Sequence, residues 1–124
     1  MLSVNEVSCG NGSVALRVTG VVDDDTVEQF EQAVEGAIGA GLDSLVLDLR
    51  SCQLESAGLA ALIRLQRSEE RRPEATHLVT TDVDLLWTLQ VVGLTYFCEV
   101  FGTLEAALEA SSATALSVAG ALHE

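Results

Sequence analysis

The run Leu45-Val46-Leu47-Asp48-Leu49 constrains the fold more than any other segment. It is almost continuously apolar, without the alternation of a strand that has one wet face. Such a run suits a central strand covered on both faces, as in a parallel sheet with helical crossovers. The flanking segments supply those crossovers. Ahead of it, Val27, Phe30, Val34, Ala37 and Ile38 recur at helical spacing, with Glu28, Glu31 and Glu35 on the solvated side. Asp25 is placed to cap that helix with Glu28 completing a capping box, and Gly39 and Gly41 end it. Behind it, a short loop over 51–55 leads into Ser56-Ala57-Gly58 and a second helix. Leu59, Leu62, Ile63 and Gln66 share one face there, with Ala60, Arg64 and Arg67 away from it. The charged stretch 69–72 and Pro73 close this helix.

The remaining segments fit the same plan. Residues 13–19 alternate, with Val14, Leu16 and Val18 on one side, the pattern of a strand with one buried face. Residues 3–8 form an earlier strand, joined to it by an Asn11-Gly12 turn. Residues 76–80 read as a third parallel-type strand. Thr81 or Asp82 caps a third helix, with Val83, Leu86, Leu89 and Gln90 on one stripe, Leu85 and Val92 beside it, and Gly93 as its stop. Residues 96–101 form a short last strand, and Thr103 caps a fourth helix carrying Leu104, Ala107 and Leu108. The expectation is one α/β domain over 1–110, with a mixed four- to five-stranded sheet and about four helices. An antiparallel hairpin begins the sheet, and right-handed crossovers to parallel strands continue it. The Ala- and Ser-rich tail 111–124 reads as a helical extension or a disordered segment.

Composition narrows the function. The 124 residues carry 19 acidic and 6 basic side chains, a formal charge of −13. Phosphates would be repelled, so a general nucleic-acid binder is not expected, while a basic protein partner is. All six basic residues are arginine, which rules out a phosphate-binding loop built on lysine. With 48% hydrophobic residues the chain can still build a core. No apolar run approaches the roughly 20 residues of a membrane span. The first residues lack the basic and apolar regions of a signal peptide, so a cytoplasmic protein is expected. Cys9, Cys52 and Cys98 then read as reduced, buried thiols, and none forms a CxxC pair. His77 and His123 lie near no cysteine in sequence, so neither a metal nor another cofactor is expected. A Ser-His-Asp triad is poorly supplied, and Leu54 stands where a Gly-x-Ser-x-Gly elbow around Ser56 needs glycine. The chain is therefore read as a non-enzyme.

Two residues carry competing readings. Asp48 is either a hydrogen-bonded carboxylate near a strand end or a site residue at the carboxyl end of a strand. Ser56 lies at or just before a helix N-terminus. It is either a cap or a switch, because a phosphate there adds roughly −1.5 to −2 charge that a helix N-terminus tolerates.

The ordered pieces resemble the STAS family, especially the bacterial anti-sigma factor antagonists. Gly20-Val21-Val22-Asp23, with Thr26 beyond, is similar to the family's Gly-Glu-Leu-Asp. Leu45-Val46-Leu47-Asp48-Leu49 resembles its Val-Val-Leu-Asp-Leu strand, and Glu55-Ser56-Ala57-Gly58-Leu59 its Asp-Ser-Ser-Gly-Leu loop. Val92-Gly93-Leu94 resembles Thr-Gly-Leu, and 101–108 the family's closing strand and helix. The resemblance implies a STAS-like fold and a protein-binding regulator that switches partners in transcription control. Ser56 would be phosphorylated by an anti-sigma factor that is also a serine kinase, and a phosphatase would reset it. Asp23, Asp24 and the loop Glu55, Ser56, Ala57, Gly58 and Leu59 would dock the partner. Glu55 and Ala57 depart from the family's aspartate and second serine. The resemblance leaves two alternatives: a scaffold or accessory subunit with a constitutive partner, of stressosome or lipid-transport type, and a small-ligand or nucleotide sensor.

Overall fold

Five strands, β1 (Leu2–Gly10), β2 (Ser13–Val22), β3 (Ser44–Leu54), β4 (Thr76–Val79) and β5 (Glu99–Phe101), form one sheet in that spatial order. The helices are α1 (Val27–Ile38), α2 (Ser56–Gln66), α3 (Val83–Val91) and α4, residues 104–111. This computed structural model describes residues 2–10, 13–38, 44–66, 76–93 and 98–111. Expected features at Asn11-Gly12, Gly39, Gly41, 67–75 and 112–124 lie outside those residues, as does the start of the expected strand at Tyr96. β1 and β2 pair antiparallel, and every later pairing is parallel. This is the mixed sheet that the hydrophobic patterning predicts.

Strand order follows chain order, so each crossover moves one strand along. Right-handed crossovers then place α1, α2 and α3 on the same face. Leu45, Leu47 and Leu49 of β3 turn to that face and join Phe30, Val34, Leu62 and Leu89 in one buried cluster. Val46 turns to the opposite face and meets Ala15, Val79, Leu104 and Ala107 under α4. Both faces of β3 are thus covered, which is why its sequence runs apolar instead of alternating. Ser111, the last described residue of α4, is buried, and its hydroxyl donates to Ser44 Oγ at 2.7 Å.

Two segments differ from the expectation. β3 continues to Leu54 instead of ending near Leu49, because parallel pairing with β2 persists through Val22 opposite Leu54. A register shift between Arg17 and Thr19 absorbs the extra β3 residue and lets the ladder resume. On α3, Leu89 is buried and Leu85 packs beside it, but Val83 is 76% exposed. Apolar residues surround this helix, so its spacing defines no single inward face and the sheet selects Leu85 and Leu89. Asp82 caps α3 by accepting from Asp84 N and Leu85 N. Gly93 ends it at φ 80°, a conformation that glycine adopts without a Cβ clash.

Candidate functional site

β2, β3 and β4 run parallel, so the turns that follow them emerge at one edge of the sheet. The first turn is organised by Asp23. Its Oδ1 accepts from the Asp25 and Thr26 amides at 2.9 and 3.1 Å, and its carbonyl accepts from the amide of Val27, the first residue of α1, at 2.8 Å. Thr26 answers it: the Thr26 hydroxyl accepts from Asp23 N at 2.9 Å and donates to Val21 O at 2.7 Å. Asp23, not Asp25, therefore supplies the capping oxygen of the turn that leads into α1, and α1 departs from Thr26, whose carbonyl accepts from Phe30 N at 3.1 Å. A reciprocal Asp-Thr pair does the work expected of Asp25 and Glu28. Asp24 and Asp25 are left exposed at the tip.

The second turn lies beside the first. Glu55 N donates to Val22 O at 2.9 Å, which carries the β2–β3 pairing one residue past the strand. Glu55 is also the residue from which α2 departs, since its carbonyl accepts from Leu59 N at 3.0 Å. The amides of Ser56, Ala57 and Gly58 precede that first helical bond and have no acceptor within the helix. Ser56 is thus the first residue of α2, one place past the cap. It is exposed, and its hydroxyl makes no hydrogen bond among the described residues. The capping interpretation of Ser56 does not hold. Glu55 is exposed as well, and its carboxylate accepts from Gln53 Nε2 at 2.8 Å.

Gly58 sets how closely this turn sits on the sheet. A Cβ at that position would lie 2.9 Å from Leu54 Cδ2 and 2.9 Å from both Val22 Cβ and Val22 Cγ1. Only the absence of a side chain lets the first turn of α2 rest on the ends of β2 and β3. Leu59 packs against the helix-side core behind it.

The sheet edge therefore presents a free hydroxyl on a helix N-terminus. Around it stand Asp23, Asp24, Asp25 and Glu55, and the turn after β4 adds Asp82 and Asp84. No basic residue occurs in the three turns, 23–26, 55–58 and 80–84. An anionic group on that hydroxyl would meet the unpaired amides at the start of α2 within the chain and acidic turns outside it.

No protein-family profile matches the chain, and no curated protein matches it in sequence. Solved structures do match. An anti-sigma factor antagonist from Mycobacterium paratuberculosis superposes with a TM-score of 0.77 at 23% identity, over 90% of this chain and 95% of that one. The anti-sigma factor antagonist SpoIIAA in its unphosphorylated form gives 0.67 at 20% identity, over 86% and 94%. The phosphorylated form of SpoIIAA, a Bacillus cell fate determinant, gives 0.64 at 21%, over 86% and 97%. The chain has the fold of the anti-sigma factor antagonists. The STAS-like architecture expected from the sequence is thereby established.

Other residues singled out in the sequence fall elsewhere on this fold. Asp48 is buried in the middle of β3, on the face away from α1, α2 and α3. Its carboxylate accepts from Arg50 Nε and Nη2, both at 2.9 Å, and from Arg17 Nε at 3.4 Å. Burial alone would raise this carboxyl, but the Arg50 hydrogen bonds and charge, with Arg17, hold it below the usual 3.8. Asp48 is thus the hydrogen-bonded carboxylate of the two readings, remote from the Ser56 edge. Arg17 and Arg50, the cations that a nucleotide site would draw on, are both turned to it. Burial pushes the Cys52 and Cys98 thiols up to about 11, which makes them poor nucleophiles at neutral pH. Among the described residues no group of three or more His, Cys, Asp or Glu is placed to hold a metal ion. No described helix is long and apolar enough to cross a membrane.

Sequence reasoning missed the outer side of α3. Val83, Trp87 and Val91 are 76%, 66% and 62% exposed. The four-residue spacing is in the sequence, but Val83 also fits the expected inward stripe with Leu86, Leu89 and Gln90.

Proposed function

We propose that the chain is a protein-binding regulator of the anti-sigma factor antagonist type, with no catalytic chemistry of its own. It binds an anti-sigma factor that is also a serine kinase, and phosphorylation of Ser56 turns that binding off until a phosphatase removes the group. The reading places this exchange in the cytoplasm. One observation carries it. Ser56 stands exposed as the first residue of α2 with its hydroxyl unengaged, at an acidic edge that includes Asp23, Asp24 and Glu55. A cap would have its oxygen turned inward to an amide. This serine is instead presented outward, where an incoming kinase reaches it.

The electrostatics support a switch that leaves the fold alone. Within the chain the phosphate is stabilised by the amides at the start of α2. Towards a partner it adds roughly −1.5 to −2 charge to turns that carry no basic residue. A basic partner surface approaches the unmodified edge readily, and its binding weakens with salt. Loss of binding on phosphorylation then arises where the partner places its phosphate donor or its own carboxylates against Ser56. The partner contacts are proposed at Asp23, Asp24, Glu55, Ser56, Ala57, Gly58 and Leu59. Among these, Gly58 and Leu59 act by holding the turn in place.

The test is phosphorylation by the cognate kinase and ATP, read by mass spectrometry. One phosphate at Ser56, absent from Ser56→Ala, is expected. No phosphate on the wild-type chain overturns the switch. In calorimetry Ser56→Asp should bind the kinase more weakly, and equal affinity removes the electrostatic argument.

A further inference from the structure

The outer side of α3 is unaccounted for by the Ser56 edge. Leu89 faces the sheet and is fully buried, while Trp87 points about 160° round the helix axis from it. Val83 and Val91, one turn before and one turn after Trp87, complete an outward stripe. A helix apolar on both sides has the composition of a buried helix. Here one side is buried by the sheet and the other is open. Exposed tryptophan is costly to solvate and is enriched where proteins dock.

The charges beside the stripe say what covers it. Asp84 lies one turn before Thr88 on the same outer surface, its carbonyl accepting from the Thr88 hydroxyl at 2.9 Å, and Asp82 stands at the helix start. No lysine or arginine occurs between 76 and 93. A second copy would bring together two chains that each carry −13, with no lysine or arginine on either α3 to meet the other's Asp82 and Asp84. An anionic lipid surface or a nucleic acid would be repelled for the same reason. A protein groove with an apolar floor and an arginine- or lysine-rich rim satisfies both the stripe and the carboxylates.

We infer that α3 is a second docking surface, on which Trp87, flanked by Val83 and Val91, inserts into an apolar groove rimmed by basic residues on a protein partner. Asp82 and Asp84 pair with that rim. The surface goes beyond the Ser56 edge and does not require Ser56 to be modified. Trp87 is the anchor because it is the largest exposed side chain of the stripe.

The experiment places a photo-crosslinking amino acid at position 87 of the full chain in the source cell, with Gln32 on the outer side of α1 as the control position. The crosslinked protein is identified by mass spectrometry, purified and titrated against the chain. Trp87 is the only tryptophan, so its emission should shift to the blue on binding. Trp87→Ser should weaken binding about thirtyfold, with an unchanged urea midpoint showing that the fold survives. Asp84→Asn should weaken it about threefold and flatten its salt dependence. Crosslinking no stronger than at position 32, crosslinking only to a second copy or to this chain's own tail, or equal binding by Trp87→Ser overturns the inference. Ser56→Asp, run alongside, separates the two proposals. If it leaves both crosslinking and kinase binding intact, the α3 surface stands and the switch falls.

Discussion

Replacing Gly58 by alanine tests how the Ser56 turn is held. The added methyl carbon would sit 2.9 Å from three carbons, well inside the roughly 3.5–4.0 Å of ordinary carbon contact. One of the three is the far end of Leu54, which is half-buried and can rotate. The other two belong to Val22, which is fully buried and stiff about χ1. The strain therefore lifts the first turn of α2 off β2. Overpacking of this kind costs about 1–3 kcal/mol, and alanine's better helix propensity returns up to about 1 kcal/mol. The expected net loss is about 1–2 kcal/mol, or roughly 4–8 °C in Tm for a chain of this size. Gly36 provides the control, because nothing lies within 4 Å of a Cβ there and the residue is exposed within α1. Gly36→Ala should gain about 0.5–1 kcal/mol. Urea unfolding of the three proteins decides, read as midpoints at constant slope. A Gly58→Ala protein as stable as the wild type would refute the reasoning, since the turn would then not depend on the close approach.

Two further predictions concern the face under α4. Burial holds His77 below its ordinary 6.5, against the opposing influence of Glu99 and the Leu45 backbone, so the unfolded chain takes up a proton that the native chain refuses. Stability should therefore fall as pH drops through about 6.5. The reading is the wild type minus His77→Phe, which cancels whatever the two proteins titrate in common and whose ring retains the stacking on Phe101. A pH-independent difference would show that His77 is not titrating. Arg50→Ala should cost about 2 kcal/mol, because it strips Asp48 of its two 2.9 Å side-chain bonds while the carboxylate stays buried. Arg17→Ala, which removes one contact at 3.4 Å from a more exposed side chain, should cost clearly less. Equal losses in urea unfolding would argue against this ordering.

The fold was legible because its signals are local and redundant. The β3 run, the α1 stripe and the Asp82 and Gly93 signals each follow from a few neighbouring residues, and all agree on one topology. The misreadings arise where several local solutions are equally good. Asp23 and Asp25 both offer a capping oxygen, and only the Thr26 hydroxyl, which ties the turn to Val21, selects Asp23. Val83 and Leu85 both begin an apolar stripe, and the position of the sheet selects Leu85. Ser56 stands where a cap is favoured, yet Glu55 takes the capping position because its amide is drawn to Val22. That pairing is a contact between distant segments, which no local pattern encodes. The role of Gly58 was hidden for the same reason, since glycine after a cap says nothing of Val22.

The distribution of charge links these elements. A chain at −13 has little electrostatic reason to fold, and its described ion pairs are few. Arg64 with Glu31 is exposed and worth little, and Arg17 and Arg50 are engaged by Asp48. The carboxylates at the sheet edge are left without cations in their own turns. They are tolerated because each occupies a helix start, where the macrodipole and free amides offset it: Asp23 before α1, Glu55 before α2, and Asp82 and Asp84 at α3. The topology itself creates this edge, since three successive parallel strands deliver three helix N-termini side by side. The same geometry that lets the chain carry an uncompensated acidic edge also presents that edge outward, with Ser56 at its centre and the Trp87 stripe running away from its border.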